Sequence, residues 1–121
     1  MAIERFEDID GWKKARELTK LVYSFTRKPY FTKDYGLKDQ ITRASVSVML
    51  NIAEGFDGGS DAEFARFLSY AQRSATEVMS CLYVALDNDY INEDEFRLAY
   101  DLSGEVRRLV GGLIKYLKKK P

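Results

Sequence analysis

Residues 60–87 read SDAEFARFLSYAQRSATEVMSCLYVALD, and apolar side chains recur through this stretch at intervals of three and four residues. Because an α-helix turns once in 3.6 residues, that spacing places them on one helical face. Ser60 and Glu63 form the Ser-x-x-Glu pattern of a capping box at a helix N-terminus. The stretch therefore predicts one long helix with a buried stripe. The stripe consists of Phe64, Phe67, Leu68, Ala71, Ala75, Val78, Leu82, Ala85 and Leu86.

Three clusters of helix-breaking residues divide the chain: RKPYF at 27–31, GFDGG at 55–59 and DNDY at 87–90. Proline, paired glycines and Asp/Asn runs are typical of turns. The segments between them show helical spacing, with no sustained alternation of period two that would indicate a strand. We therefore predict an all-α protein, an antiparallel up-down four-helix bundle. Its helices are expected near 8–27, 33–54, 60–87 and 92–119.

The expected helix ends rest on capping chemistry. Asp8 is a candidate cap for the first helix, and Asn92 with Glu95 repeats the capping-box pattern at the start of the fourth. Gly55 is expected to end the second helix, because glycine readily adopts the left-handed conformation that follows many helix C-termini.

Composition predicts a single domain spanning 1–121, since 121 residues are enough for one core without disulfide or metal staples. The single cysteine, Cys81, excludes an internal disulfide and fits a reducing compartment. No apolar run is long enough to span a membrane, and the first residues lack the basic and then apolar order of a signal peptide. We expect a cytoplasmic protein that has no membrane partner.

The chain contains no histidine, which restricts its chemistry most. Histidine is the commonest general base and metal ligand, and the usual partner of a Ser or Cys nucleophile. Zinc and di-iron sites of the familiar kinds cannot form without it, and no Asp-rich loop suggests calcium binding. We therefore expect no enzyme: no catalytic residue, no metal and no cofactor. Cys81 is interpreted as a core thiol.

The second helix differs from the other three, because its apolar residues spread around most of its circumference. From Ala44 to Ala53 the segment has no charged side chain. A helix that is apolar nearly all round is buried on several sides. Either it lies unusually deep in the bundle, or its outer face packs against another chain; the sequence favours the second, which predicts a homo-oligomer.

Four polar residues of this helix, Arg43, Ser47, Asn51 and Glu54, fall within one narrow angular sector. Asn51 and Glu54 are spaced to pair, and Glu77 on the third helix is a candidate partner for Arg43. The first interpretation is a buried polar network that fixes the register of the bundle. The second is a contact with a ligand or with RNA.

Basic residues concentrate near the end of the chain. Candidate nucleic-acid-binding residues there are Arg107, Arg108, Lys115, Lys118, Lys119 and Lys120. Alternatively, the lysines complement the dipole at a helix C-terminus. In the loop at 29–31 (PYF), the aromatic residues are either an exposed contact or a plug over the end of the bundle.

The second helix also carries a family pattern. Its sequence YGLKDQITRA at 35–44, followed by NIAEG at 51–55, resembles the 23S rRNA intervening-sequence protein family, also called the four-helix bundle protein family. Further matches are Trp12 in the first helix, the segment that opens with Ser60, and the spacing of Ser74 and Glu77. The resemblance covers nearly the whole chain. The family's polar motif corresponds to Arg43, Ser47, Asn51, Glu54, Gly55 and Glu77.

This resemblance implies a four-helix bundle that assembles as a homopentamer, in a family sometimes labelled as ribosomal proteins. Related small bundles are accessory proteins that bind nucleic acid and a retroelement reverse transcriptase. The chain departs from the family by having Met49-Leu50 where Pro-Ser is frequent and Gly59 where a basic residue is common. We expect a non-enzymatic, RNA-associated oligomer. The alternative is a protein-binding adaptor of a nucleic-acid enzyme.

Overall fold

The computed structural model describes residues 3–120, which form four α-helices packed as a bundle and no strand. The predicted all-α four-helix fold is confirmed. Two short 3-10 helices, Phe6–Asp8 and Phe31–Lys33, precede the first and second α-helices. The α-helices are α1 (Asp10–Thr26), α2 (Tyr35–Asp57), α3 (Asp61–Asp87) and α4 (Glu93–Lys119).

Contacts between neighbouring helices establish the antiparallel order. Between α2 and α3, the hydroxyls of Ser47 and Ser74 lie 2.9 Å apart. Gln40, which precedes Ser47 in α2, donates over 3.5 Å to Glu77, which follows Ser74 in α3. The direction therefore reverses from α2 to α3. The same reversal relates α3 to α4, where Asp61 meets Lys120 and Tyr83 meets Tyr100. It also relates α1 to α4, and each helix packs against two neighbours around a square.

Three of the four α-helices begin with a side-chain cap. Asp34, Ser60 and Asn92 accept hydrogen bonds from the backbone N–H of Leu37, Glu63 and Glu95 respectively. The box predicted at Asn92 is complete, since the Glu95 carboxylate also accepts from the Asn92 amide.

Asp8 does not cap α1, contrary to the sequence-based expectation. Its carboxylate instead accepts from the amides of Glu4 and Arg5, which precede the first 3-10 helix. The residue before α1 is Ile9, which forms no side-chain cap and is buried in the core. The start of α1 is therefore fixed by packing and by the preceding turn.

The expectation that Gly55 ends the second helix is wrong, because α2 continues to Asp57. A Cβ at Gly55 would lie 2.7 Å from the Cβ of Phe67 and 3.1 Å from the ring of Phe64. Gly55 is thus needed for the close approach of α2 to α3. The left-handed conformation belongs to Gly59, whose φ is 90°.

The core consists of two clusters stacked along the bundle axis. One is centred on Ile52, Leu68 and Val106, and the other on Leu18, Ile41 and Leu82. At one end of the bundle, the loops that precede α2 and α4 cover the second cluster. Phe31 is fully buried and stacks on Tyr90 at 5.2 Å, and the hydroxyl of Tyr90 donates to Asp34 over 2.9 Å. Of the two alternatives for this loop, Phe31 is therefore a plug over the bundle end, whereas Tyr30 is exposed.

Within residues 3–120, no helix is both long enough and apolar enough to cross a membrane.

Candidate nucleic-acid interface

The polar motif of α2 forms a small network of neutral side chains beside α3. Asn51 Nδ2 donates to the backbone oxygen of Ser47 over 2.9 Å and to its hydroxyl over 3.0 Å. The Ser47 hydroxyl in turn meets the Ser74 hydroxyl across the helix pair. These three side chains are half-buried, so their hydrogen bonds satisfy polar groups at a partly desolvated seam. Asn51 therefore pairs with Ser47, and not with Glu54 as expected.

The charged members of the motif lie in solvent. Arg43 Nε donates to the carboxylate of Asp39 over 3.0 Å, one turn earlier in the same helix. The expected pairing of Arg43 with Glu77 is therefore not found, and Glu77 accepts from Gln40 instead. Glu54 is exposed and forms no ion pair within residues 3–120. Because exposed ion pairs contribute little to stability, the charged residues do not fix the register of the bundle.

The outward face of α2 is apolar between Arg43 and Glu54. Leu50 is 55% exposed, and Val46 and Ala53 beside it are half-buried. A large aliphatic side chain in solvent costs free energy, and uncharged strips of this kind are typical of interfaces. The prediction that α2 lacks an ordinary charged outer face thus agrees with the structure over these turns.

The basic residues of α4 lie mostly in solvent. Arg107, Arg108, Lys115, Lys118 and Lys119 are exposed. Lys120 is also exposed, but its ammonium group lies 3.1 Å from the carboxylate of Asp61 at the start of α3. Because Gln72 of α3 donates to the backbone oxygen of Arg107 over 2.9 Å, the basic half of α4 lies directly beside α3.

Two arginines of α3 extend this basic surface, and both lie over the ring of Tyr70. The guanidinium carbon is 5.8 Å from the ring centroid for Arg66 and 5.9 Å for Arg73. Arg66 also forms an ion pair with Glu63. A tyrosine ring attracts a cation at these distances, so Tyr70 holds two flexible side chains in place. We call the set Arg66, Arg73, Arg107, Arg108, Lys115, Lys118 and Lys119 the basic surface.

Ion pairs neutralise little of the basic surface. Of its members, only Arg66 forms an ion pair within residues 3–120. The sequence of α4 explains why: its acidic residues all occur from Glu93 to Glu105, and every charged residue after Glu105 is basic. The chain has zero formal net charge, so the basic surface is a local concentration of positive charge.

Three aromatic rings pack together on the same pair of helices, nearer the other end of the bundle. Tyr83 of α3 lies 4.8 Å from the Phe96 ring centroid and 5.6 Å from that of Tyr100, and the two α4 rings stack at 5.2 Å. Tyr83 is 49% exposed. The neighbouring Tyr100 hydroxyl, with a smaller effect from burial, raises the pKa of Tyr83. We call these rings the aromatic cluster.

A model of the family described as 23S rRNA-intervening sequence protein matches residues 7–112. The chain belongs to this family. A crystal structure from Bacteroides thetaiotaomicron VPI-5482, of a protein with unknown function from the S23 ribosomal protein family, is also similar. It has a TM-score of 0.79 and 24% sequence identity, and the match covers 87% of this chain and 98% of that chain. At this identity the likeness supports the fold alone. No curated protein gives a significant match.

Neither the family description nor the structural neighbour states a catalytic activity. In this member of the 23S rRNA-intervening sequence family, no group of three or more acidic or cysteine side chains within residues 3–120 is arranged to hold a metal ion. Cys81 is buried, and its burial, with a smaller effect from Glu77, raises the pKa of the thiol. A thiol that ionises less readily is a weaker nucleophile.

The sequence analysis did not assign Arg66, Tyr70 or Arg73 to the candidate nucleic-acid interface. Their spacing contains the necessary signal, because residues four before and three after Tyr70 share its helical face. The aromatic cluster was also missed. Its signal is weaker, since Tyr83 and Tyr100 meet only when α3 and α4 pack together.

Proposed function

We propose that this chain is a non-enzymatic, cytoplasmic RNA-binding protein that acts as a homo-oligomer, with the pentamer as the expected assembly. The observation that carries the proposal is the basic surface: six of its seven members form no ion pair within residues 3–120. Arginine and lysine side chains bind phosphates and release the counterions that surround a nucleic acid. The match to a family described by an rRNA intervening sequence supports RNA as the ligand.

Oligomerisation is supported by the outward face of α2. Leu50 projects into solvent between two half-buried aliphatic neighbours, and association would remove this strip from water. A ring of identical chains would repeat the basic surface once per subunit. Because linked sites raise the effective concentration of each other, a weak site on one subunit becomes a strong one on the ring.

The first test is RNA binding measured by fluorescence anisotropy between about 50 and 200 mM salt. The logarithm of the affinity should fall linearly with the logarithm of the salt concentration. The double variant Arg107→Glu, Arg108→Glu should bind at least about tenfold more weakly and show a shallower salt slope, because two phosphate contacts are lost.

The matched control is Lys13→Glu, Lys20→Glu, which changes the net charge equally on the exposed surface of α1. It should reduce affinity much less than the α4 double variant. Binding that does not change with salt, or an equal loss in both variants, would contradict phosphate recognition by the basic surface.

A protein-binding adaptor is the second candidate, and the loop before α2 favours it. Tyr30 is 75% exposed and Tyr35 is 77% exposed on either side of the buried Phe31. Tyrosine is enriched among the residues that dominate protein interfaces. Co-purification of a nucleic-acid enzyme that is lost in Tyr30→Ala, Tyr35→Ala, with RNA affinity unchanged, would favour this function.

A further inference from the structure

The aromatic cluster and the basic surface occupy successive levels of the same two helices. Tyr100 precedes Arg107 by seven residues in α4, about 10 Å along the axis at 1.5 Å per residue. On α3, Tyr83 follows Arg73 by ten residues, about 15 Å. A single ligand that follows the α3/α4 pair can therefore contact both.

Two positions between these regions lack a bulky side chain. Thr76 of α3 is exposed, and Gly104 of α4 has no side chain. A Cβ at Gly104 would meet only Nη1 of Arg108, at 3.5 Å. No bulky residue at these two positions obstructs a chain that runs from one region to the other.

The charges around the aromatic cluster differ from those of the basic surface. The first turn of α4 contains three acidic residues, Glu93, Asp94 and Glu95, and Arg97 is the one basic residue between them and Tyr100. Phosphates are therefore not attracted to this end as they are to the other. What the aromatic cluster offers a nucleic acid is the half-exposed ring of Tyr83, which packs against Phe96 and Tyr100.

Aromatic rings recognise the faces of unstacked bases. In an RNA duplex the bases are stacked inside the helix, and a protein contacts mainly phosphates and 2′-hydroxyls. In a single strand the bases are free to stack on aromatic side chains while the backbone follows a basic surface. The arrangement on α3 and α4 combines these two elements.

We propose that the α3/α4 surface selects single-stranded over double-stranded RNA, with phosphates on the basic surface and a base stacked on Tyr83. This inference rests on the proposed RNA-binding function and specifies its substrate class. The basic surface alone would hold either form of RNA, and the aromatic cluster provides the discrimination.

The test compares an oligouridine of about 12 nucleotides with an RNA duplex of about the same length, a size in the range bound by single-strand-binding modules. The native protein should bind the single strand at least about tenfold more tightly. Tyr83→Ala should weaken single-strand binding by about 5- to 150-fold, the loss expected for one stacked base, and leave duplex binding unchanged.

Two further variants separate stacking from folding. Tyr83→Phe keeps the ring and removes only the hydroxyl beside Tyr100, so single-strand binding should persist. Tyr23→Ala removes a partly exposed ring on α1 and should alter neither affinity. Circular dichroism and urea unfolding check that each variant keeps the native helices.

The outcomes distinguish this inference from the function on which it rests. If neither form of RNA binds in a salt-dependent manner, the RNA-binding function fails. If both forms bind equally and Tyr83→Ala changes neither, RNA binding stands and the single-strand selectivity is wrong. The inference is also wrong if Tyr83→Ala weakens binding to a protein partner while single-strand RNA binding persists.

Discussion

The outward face of α2 and the joint surface of α3 and α4 differ in the kind of side chain they present to solvent. Over the turns around Leu50, α2 is uncharged and apolar, whereas α3 and α4 present seven basic residues and an aromatic cluster. Apolar surface favours contacts with protein, and positive charge favours contacts with phosphate. One neutral chain thus carries two surfaces suited to different partners. Three substitutions test this difference.

The largest expected effect is the loss of assembly in Leu50→Asp. In the proposed oligomer, a carboxylate buried at the centre of the interface should weaken each subunit contact by at least about 2 kcal/mol, or about 30-fold. Sedimentation velocity should then show a folded monomer. Leu98→Asp is the matched control, because Leu98 on α4 is 60% exposed and lies outside the α2 face. Equal dissociation of both variants, or an assembled Leu50→Asp, would contradict the role given to α2.

The next effect concerns Gly55, where the backbone of α2 packs directly against α3. Gly55→Ala should lower the free energy of unfolding by about 1–3 kcal/mol, because the new methyl group would overlap Phe67. Urea denaturation measures the change. Gly112→Ala is the control, since nothing lies within 4 Å of its added Cβ, and it should stabilise α4 by about 0.5–1 kcal/mol. A stability gain in both variants would show that α2 and α3 can separate at little cost.

The smallest effect sharpens the contrast within α4, between its acidic start and its basic end. Glu95 accepts from Lys28 Nζ at 2.6 and 2.8 Å. Partial burial raises the pKa of Glu95, but the Lys28 hydrogen bond, the Asn92 amide and the Lys28 charge outweigh it, and the pKa lies below its usual value. Such a group stabilises the protein above its unfolded pKa of about 4.3, and this stability is lost as the pH falls through the native pKa.

Glu95→Gln should therefore cost at most about 1 kcal/mol near neutral pH, since both side chains are partly exposed. It should also flatten the loss of stability below about pH 5. Thermal unfolding at a series of pH values measures this. Glu93→Gln is the matched control, because Glu93 is exposed in the same turn and forms no ion pair within residues 3–120; it should cost less stability near neutral pH than Glu95→Gln. An unaltered acid profile in Glu95→Gln would show that the pair with Lys28 is not maintained in solution.

The sequence by itself determined the four helices and the capping residues that begin two of them. Apolar spacing and local caps act between residues a few positions apart, so Ser60 and Asn92 identify helix starts without knowledge of the fold. The family pattern in α2 likewise depends on one continuous segment and was recognisable before the structure.

Only the tertiary structure decided which residues meet across helices. Glycine often follows the end of a helix, yet Gly55 lies inside α2, where its backbone packs closely against Phe67. Arg43 had a plausible partner in Glu77, yet its own helix supplies Asp39 at lower conformational cost. The basic surface combines α3 with α4, and only the packing of these two helices brings Arg66 and Arg73 to the basic part of α4. Those contacts depend on how helices pack, which local spacing does not specify.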